Sequence, residues 1–397
     1  MTTTLYKLDN CIQHYQWGSP TAFSEMFGLS NEAQQPQAEI WMGAHPKGSS
    51  QLSGSPLKLS ELIDQSPKSV LGDYTYQRFG ELPYLFKVLA AAKPLSIQVH
   101  PNRHKAQAGY RVENQRGIAL DAANRNYKDA NHKPELVYAL TPYTAMNGFR
   151  PIEQILLLFK QAAINALQAE RDALLANPTA TGLKAFFAAV MNLKGAHKQQ
   201  VLNQLKQGHL QAAQGPLAQA AHRLIERFRD EYPDDIGLLS PLLLNVVELA
   251  PGEAMFLHAE TPHAYVQGVA LEIMANSDNV LRAGLTPKYI DVDELIANTR
   301  FVPIPPDTLK LASYQQDNKR CYPVPVDDFG FEVLTVDPQG HQQYLRGAEI
   351  LFCIEGEVSI CAGQQLLTLS AGESAFVCES AKVYRYQGRG TLARAFN

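Results

Sequence analysis

Residues 246–268 read VVELAPGEAMFLHAETPHAYVQG, and a related pattern returns at residues 366–388 as LLTLSAGESAFVCESAKVYRYQG. The two stretches align without gaps. Each contains a strand, a turn with Gly and Glu, a second strand, a tight turn and a third strand. A hairpin series of this kind is typical of a jelly roll, and its repetition indicates that one fold is used twice. The sequence therefore predicts a mainly β protein with two copies of a cupin-like jelly roll.

The two copies differ at two histidine positions. His258 of the first copy aligns with Cys378 of the second, and His263 aligns with Val383. Because the second copy builds the same turn without imidazole, we expect at least one of these histidines to serve chemistry. In the second copy we expect Val383 to be a core residue and Cys378 an inert thiol.

Outside the repeat, composition divides the 397 residues into three parts. Residues 1–150 have the short β-rich runs and Gly, Pro and Asn clusters of strands and loops. From 151 to 235, Ala, Leu, Gln and Lys dominate, and Leu217, Leu224 and Phe228 recur at helical spacing. We expect a catalytic cupin-like β domain at 1–150 and 236–300. Between its halves we expect an α-helical insert of about five helices at 151–235. A C-terminal jelly roll at 311–397 follows a Pro-rich linker at 301–310.

Composition also limits the function classes. The net charge is −4 and no Lys/Arg cluster stands out, so we expect no nucleic-acid partner. No apolar run is long enough for a membrane span, so we expect no membrane partner. The start, MTTTLYKLDN, lacks the features of a secretion signal, and we therefore expect a cytoplasmic protein. The five cysteines form no C-x-x-C pair, which indicates neither a disulfide framework nor a thiolate metal site.

Residues 95–104, LSIQVHPNRH, contain a candidate ligand pair. Read as a strand, the segment places apolar residues 95, 97 and 99 on one face and Ser96, Gln98 and His100 on the other. A buried polar row needs partners. In a cupin-like barrel, inward side chains gather around a cavity, where Gln98 and His100 could meet His263 and Glu135, the residue after Pro134.

Two imidazoles, a carboxylate and an amide oxygen suit a divalent ion such as zinc and leave a position for water or substrate. The alternatives are a strand face wetted by solvent, a turn histidine at 263 and a solvated strand end at Glu135. Four other histidines are interpreted as structural, surface or ligand-supporting residues: His45, His104, His132 and His258.

Two cations indicate the class of substrate. Lys133 precedes Glu135 by two residues, and Arg282 follows the segment that contains Glu272. A Lys and a guanidinium near a metal suit a phosphorylated or otherwise anionic substrate, although either residue alone is commonly a surface charge.

With these motifs the sequence resembles type I phosphomannose isomerases. The matching segments are YQWGS at 15–19, AEIWMGAHPKGSS at 38–50, LPYLFKVLAAAKPLSIQVHPN at 82–102, HKPE at 132–135, PHAY at 262–265 and SDNVLRAGLTPKYIDV at 277–292. The helical insert and the C-terminal unit fit the family layout but carry little motif. Gln16 stands where the family often has alanine, which affects no catalytic position.

The resemblance implies one zinc ion per chain, held by Gln98, His100, Glu135 and His263. It also implies reversible conversion of mannose 6-phosphate to fructose 6-phosphate by a zinc-dependent aldose-ketose isomerase. A phosphorylated hexose would then be the substrate, and we expect a monomer.

The catalytic residues are expected to include Arg282 and Lys133, which match the family's essential arginine and active-site lysine. With Ser96 these two residues are also expected to bind substrate. Aldose-ketose exchange moves a proton between C1 and C2 through an enediol, which requires a base. Glu272, Asp278 and His100 remain candidates, and Glu272 is slightly preferred because burial can tune a carboxylate on an inward strand position.

Two other interpretations stay open. One is another enzyme, either a cupin-type metal oxygenase or a different sugar-phosphate isomerase. The other is a non-catalytic sugar-binding protein such as a sensor. The glutamine among the ligands argues against an oxygenase, and the paired cations argue against a sensor.

Overall fold

The computed structural model describes residues 3–213 and 215–397, which form two ten-stranded sheets and a layer of helices. The strands are β1 (Leu5–Asp9), β2 (Cys11–Gln13), β3 (Glu39–Met42), β4 (Gln51–Leu52), β5 (Tyr84–Ala91), β6 (Gln98–Val99), β7 (Glu135–Ala139), β8 (Tyr143–Phe149), β9 (Leu244–Leu249), β10 (Ala254–Leu257), β11 (His263–Ala275), β12 (Leu281–Arg282), β13 (Tyr314–Gln316), β14 (Lys319–Tyr322), β15 (Gly330–Val336), β16 (His341–Tyr344), β17 (Glu349–Ala362), β18 (Gln365–Ser370), β19 (Ser374–Val377) and β20 (Val383–Phe396). The α-helices are α1 (Ala22–Phe27), α2 (Leu59–Gln65), α3 (Pro67–Leu71), α4 (Asp73–Phe79), α5 (Arg103–Gln115), α6 (Ile152–Gln161), α7 (Gln168–Ala176), α8 (Ala180–Met191), α9 (Gly195–Lys206), α10 (His209–Ala212), α11 (Pro216–Glu231), α12 (Ser240–Leu243) and α13 (Val292–Ala297).

The repeat corresponds to one hairpin series built twice. In the first copy β9, β10 and β11 follow one another, and in the second β18, β19 and β20 occupy the aligned positions. The first turn is closed in the same way in both. The Glu253 carboxylate accepts a hydrogen bond from the main-chain N–H of Ala250 at 2.8 Å. Likewise, Glu373 accepts one from Ser370 at 2.9 Å. The predicted mainly β fold with a cupin-like repeat and a helical insertion is confirmed.

Strands near the N-terminus, β1 and β4, belong to the sheet that is formed mainly by the C-terminal strands. One sheet follows the order β10-β7-β11-β5-β3-β2, with β6, β8, β9 and β12 paired at its side. The other contains the C-terminal strands, and β1 extends it by pairing with β19, Leu5 opposite Val377. The buried Tyr84 hydroxyl of β5 also donates hydrogen bonds to the main-chain carbonyls of Ala348 and Ala395. The predicted first and last domains are thus joined by main-chain pairing as well as by packing.

The helical insertion contains six α-helices between residues 152 and 231 of the described chain, where about five were expected. Helix α11 begins at Pro216 and buries Leu224, Ile225 and Phe228 on one face, as the periodicity predicts. The helices share a hydrophobic core with β6 and with Phe149 of β8, whose ring packs edge-on against Phe187 at 5.5 Å. The insertion therefore supports the segment that contains Gln98 and His100.

The Pro-rich passage at 301–310 connects the two β units without a strand or an α-helix. The passage packs against the rest of the protein, because Phe301 and Leu309 are buried. The main-chain N–H of Ile304 also donates to the carbonyl of Phe149 at 2.9 Å.

The second copy departs from one prediction. Val383 is half-buried rather than a core residue, because it pairs with the exposed Tyr344 on β16 at the start of β20.

A charged network is buried in this unit: Arg394 donates to Glu349, and the Tyr384 hydroxyl donates to the same carboxylate. Cys378 is buried, and burial raises the pKa of its thiol to about 12. All five cysteines are free thiols.

Within residues 3–213 and 215–397, no helix combines the length and the apolar character needed to cross a bilayer.

Candidate metal and substrate site

A row of four polar side chains crosses the pairing of β12, β6, β11 and β8. In register, Arg282 lies opposite Gln98, Gln98 opposite His263, and His263 opposite Asn147. Residues directly opposite one another present their side chains to the same face of a sheet. The strand pairing therefore brings Gln98, His263 and Arg282 side by side although they are distant in sequence.

The predicted strand at 95–104 is much shorter than expected. Only Gln98 and Val99 are paired as a strand. Pro101 supplies no N–H for pairing, and the Asn102 side chain caps α5 by accepting from the main-chain N–H of Lys105. The alternation of faces still holds, because the apolar residues 95, 97 and 99 are buried in the core.

His100, Glu135 and His263 converge on one point. One potential ligand atom from each lies within 4.8 Å of the others, and all three residues are at most 2% exposed. The Glu135 carboxylate lies between the rings, with Oε1 3.3 Å from His100 Nε2 and Oε2 3.6 Å from His263 Nε2. Gln98 is placed beside this cluster by its position opposite His263 in the strand register.

Main-chain carbonyls fix the tautomer of both rings. His100 Nδ1 lies 2.7 Å from the carbonyl oxygen of Asn279, and His263 Nδ1 lies 2.9 Å from that of Thr261. A carbonyl can only accept, so Nδ1 of each ring carries the proton and each Nε2 keeps its lone pair. Both lone pairs belong to the nitrogens nearest the carboxylate, and this arrangement is typical of histidines that bind metal.

These residues fit a divalent metal ion. Nε2 of His100 is buried and has no hydrogen-bond partner within the residues described, although such an atom normally has one. Two neutral imidazoles and a carboxylate, with an amide oxygen nearby, form a donor set that zinc accepts. The cluster of His100, Glu135 and His263 can therefore hold one metal ion.

Burial and charge keep the ligands in the protonation state that a metal requires. Burial, helped by the Lys133 ammonium, lowers the pKa of His100 to about 4. Burial also lowers the pKa of His263. Burial alone would raise the pKa of Glu135, but Lys133 and His100 hold it well below its usual range. The carboxylate is thus ionised and the imidazoles are neutral.

Glu135 has two further contacts. Lys133 Nζ lies 3.1 Å from Oε1, and the Tyr265 hydroxyl donates to Oε2 at 2.5 Å. Lys133 is therefore within the predicted site, with its side chain nearly buried. Tyr265 was not predicted from the sequence, where it appears only as an aromatic residue of a strand.

A second charged group lies on the same sheet, and only one of its members, Glu272, was predicted from the sequence. Lys87 Nζ is 2.9 Å from Glu272 Oε2 and 3.4 Å from Glu39 Oε2, and the Trp41 indole N–H donates to Glu39. Lys87 and Glu272 are opposite one another in register. The missed signal is the presence of single charges in otherwise apolar strands, LFKVLAAA and AEIWM, since a buried lone charge needs a partner.

The environment of Glu272 supports the idea of a tunable carboxylate. Glu272 is 3% exposed. Burial raises its pKa, although Lys87 opposes this shift. It lies opposite Val137 in β7, two residues from Glu135, and so shares a sheet face with the metal-binding carboxylate.

Asp278 lies in a different environment. Its carboxylate is 2.8 Å from Lys47 Nζ and 3.6 Å from His45 Nε2. Burial would raise the pKa of Asp278, but the Lys47 hydrogen bond and His45 lower it. His45 thus contacts a candidate catalytic carboxylate, although it is not part of the three-residue cluster.

Asn279 links these groups and was also missed. It is fully buried, its amide donates to the main-chain carbonyls of Asp129 and Asn131, and its own carbonyl orients His100. Its amide oxygen accepts from the main-chain N–H of Lys128 at 2.7 Å.

Arg282 is half-buried, and burial lowers the pKa of its guanidinium. Across residues 3–213 and 215–397 the guanidinium has no ion-pair or hydrogen-bond partner, so its N–H donors are free.

Ser96 is half-buried beside the strand that contains Gln98. His258 is exposed and does not belong to the cluster, so His263 is the repeat histidine that does.

Three family models match the chain. They are described as phosphomannose isomerase type I, catalytic domain, at residues 5–152, phosphomannose isomerase type I, helical insertion domain, at residues 158–244, and mannose-6-phosphate isomerase, cupin domain, at residues 318–397.

Similar proteins match over their full length. The chain is 49% identical over 396 residues to mannose-6-phosphate isomerase of Escherichia coli (strain K12), covering 99% of this chain and 100% of that protein. A crystal structure of mannose 6-phosphate isomerase bound with zinc and yttrium is 50% identical, with a TM-score of 0.94 and 100% coverage of both chains. A crystal structure of the Salmonella typhimurium enzyme bound to substrate and zinc is 49% identical, also with a TM-score of 0.94 and full coverage.

Proposed function

The chain belongs to the type I phosphomannose isomerase family, and on this premise we propose that it interconverts mannose 6-phosphate and fructose 6-phosphate in a zinc-dependent reaction through an enediol. The observation that carries the proposal is the convergence of His100, Glu135 and His263 around an unpartnered, buried Nε2. Similar proteins of about the same length are bound to zinc and to substrate. The coordinates thus support the same ligand residues as the sequence pattern.

The metal ligands are His100, Glu135 and His263, with the Gln98 amide as the fourth. When bound there, zinc supplies a Lewis acid that stabilises negative charge on substrate oxygens. The chain contributes the correct tautomers, through Asn279 and Thr261, and a carboxylate kept ionised by Lys133.

Substrate binding is assigned to Arg282, Lys133 and Ser96. The free donors of a half-buried guanidinium suit an oxyanion, which can accept two parallel hydrogen bonds from it. Lys133 supplies a second positive charge 3.1 Å from Glu135, at the border between the ligand set and the substrate. Ser96 lies two residues before Gln98 and can donate one neutral hydrogen bond.

We assign the transfer of the carbon-bound proton to Glu272. Aldose-ketose exchange removes a proton from one of C1 and C2 and returns it to the other, which one carboxylate can do by accepting and then donating. Burial raises the pKa of Glu272 despite its contact with Lys87, whereas the Lys47 contact lowers the pKa of Asp278 and makes it the weaker base. Both nitrogens of His100 are committed, one to Asn279 and one to the ligand cluster.

The assignment of the base is tested by comparing Glu272→Gln with Asp278→Asn in deuterated water. We expect Glu272→Gln to abolish deuterium incorporation into the sugar phosphate while zinc content stays at the wild-type level. Asp278→Asn should slow incorporation without abolishing it. Loss of incorporation in Asp278→Asn together with normal incorporation in Glu272→Gln would reverse the assignment.

The function itself is tested by a coupled assay for fructose 6-phosphate, with metal analysis on the same sample. Glucose 6-phosphate, the C2 epimer, serves as the matched control substrate. We expect turnover of mannose 6-phosphate only in samples that contain zinc. Binding of mannose 6-phosphate to a zinc-loaded sample without turnover would instead indicate a sensor.

The five free cysteines suit a reducing compartment and support our proposal that the protein is cytoplasmic. A monomer, with no nucleic-acid or membrane partner, stays a prediction, as do the domain boundaries.

A further inference from the structure

Two neighbouring aspartates of the C-terminal unit reach into the catalytic unit. Asp327 and Asp328 lie between β14 and β15. Asp327 pairs with Arg78 of α4 at the exposed surface. Asp328 is 3% exposed and contacts Arg103 and His132, which are three residues in sequence from His100 and Glu135 respectively.

Asp328 is held by two donors. Arg103, the first residue of α5, donates to Oδ1 at 2.8 Å, and His132 Nε2 lies 3.1 Å from Oδ1 and 3.0 Å from Oδ2. Arg103 Nη2 is also 2.7 Å from the same imidazole nitrogen. Both groups thus converge on one buried carboxylate.

Asp328 and Arg103 hold His132 at one ring nitrogen. The ionised carboxylate only accepts and the guanidinium only donates, so these two contacts place opposite demands on His132 Nε2 and fix the position of the ring rather than its tautomer. Nδ1 makes no hydrogen bond within residues 3–213 and 215–397, so it remains available to a ligand or to water.

His132 belongs to a segment that is anchored at both ends. On one side, Asn279 donates to the carbonyl of Asn131, and the main-chain N–H of His132 donates to the Asn131 side chain. On the other side, Lys133 follows directly and contacts Glu135 at 3.1 Å. Among the described residues, Asp328 is the one charged side chain of the C-terminal unit that contacts this segment.

We propose that Asp328 is a positioning residue of the isomerase site, which holds the His132 ring in place and fixes the main chain that leads to Lys133. The proposal rests on the proposed function and deepens it, because it gives the C-terminal unit a part in catalysis. Residues that orient a metal ligand from outside the ligand set are typically worth about tenfold to a hundredfold in activity, and we expect a comparable effect for Asp328.

The test compares Asp328→Asn with Asp327→Asn in the zinc-loaded full chain. An amide carries no negative charge and replaces one acceptor oxygen by an NH₂ donor, so it weakens the contact with Arg103 and loses one of the two oxygens that contact His132. We expect Asp328→Asn to lower kcat about tenfold to a hundredfold. Zinc content and KM should change little, and any loss of melting temperature should leave the variant folded at the assay temperature. Asp327→Asn removes only an exposed ion pair and should stay within about threefold of wild type.

Two readouts separate positioning from a merely structural role. Long-range ¹H–¹⁵N spectra of the imidazoles should show the same ring chemical shifts for His132 in wild type and Asp327→Asn, and changed ones in Asp328→Asn. In the His132→Gln background the additional effect of Asp328→Asn on kcat should be about threefold or less, because coupled residues are not additive.

The proposal is overturned if Asp328→Asn keeps kcat within about threefold of wild type, or if kcat falls only in proportion to the unfolded fraction. Should Asp328→Asn fail to fold, His132→Gln decides: a folded, zinc-loaded His132→Gln with wild-type kcat also overturns it. A wild-type chain that binds zinc but does not turn over mannose 6-phosphate would instead refute the proposed function, while the imidazole spectra would still report on the contact between Asp328 and His132.

Discussion

Replacing Arg282 separates its charge from its hydrogen-bond geometry. The side chain is half-buried, burial lowers its pKa, and its donors have no partner among the residues described, although Gln98 lies opposite it in register. A substrate oxyanion would therefore be the first partner that compensates the guanidinium for its partial burial. An oxyanion contact made in the transition state is worth on the order of 3 kcal/mol, or about a hundredfold in rate. We expect Arg282→Lys to lower kcat/KM about a hundredfold, because lysine keeps the charge but loses the planar fork. Arg282→Ala should lose more.

The assay is steady-state kinetics with zinc analysis and a thermal melt on each variant. Arg223→Lys is the matched control, since Arg223 forms an ion pair with Glu248 at 3.4 Å in which both side chains are more than half exposed. We expect this control to stay within about threefold of wild type. A folded, zinc-loaded Arg282→Ala enzyme within the same limit would remove Arg282 from the active site.

Three further changes test other parts of the account. His263→Ala removes one metal ligand, so zinc content and turnover should fall together while the fold survives; a folded variant that still binds about one zinc per chain would reject this ligand. Cys378→Ser alters a buried thiol outside the cluster and should leave kcat unchanged; a large loss of rate with intact stability would contradict this. Burial alone would raise the pKa of Asp328, but His132 and Arg103 hold it below its ordinary value of 3.8. The ionised carboxylate therefore stabilises the folded protein above that pH, and this stabilisation is lost as the pH falls through the lower pKa of the folded state. The difference in Tm between wild type and Asp328→Asn should therefore shrink in acid, and a difference that does not depend on pH would refute the ion pair.

The repeat could be predicted because its signals are local. Gly252 and Gly372 both have positive φ, at 88° and 85°, and each is followed by the glutamate that closes the turn. Turn chemistry of this kind depends on residues that are close in sequence, so one copy predicts the other. Helix α11 was predictable for the same reason, because its apolar face repeats within a few turns.

Two sequence expectations failed, one because of a local stop signal for the strand and one because of a tertiary contact. The alternation at 95–104 fits a strand, yet pairing stops at Val99 because Pro101 and the Asn102 cap begin α5. Val383 aligns with a buried histidine but lies opposite Tyr344 near the surface. An alignment of repeats transfers the backbone more reliably than the burial of each side chain.

The charged network around Lys87 and the anchor at Asp328 required the structure. Lys87 meets Glu272 only through the register of β5 and β11, and Asp328 meets His132 across two β units. The sequence shows that Lys87 is a lone charge in an apolar strand but not which carboxylate pairs with it. For Asp328 the sequence shows no signal, since an aspartate between two strands is ordinarily a solvated loop residue.

The central claim, that His100, Glu135 and His263 hold the catalytic zinc, is tested most directly by titrating zinc into metal-free protein while mannose 6-phosphate turnover is measured. Each added ion should fill one site, so activity should rise in proportion to zinc and level off at about one equivalent per chain. His263→Ala, titrated in parallel, should gain no activity over that range. Full activity in protein free of metal, or the same titration curve for wild type and His263→Ala, would contradict the account.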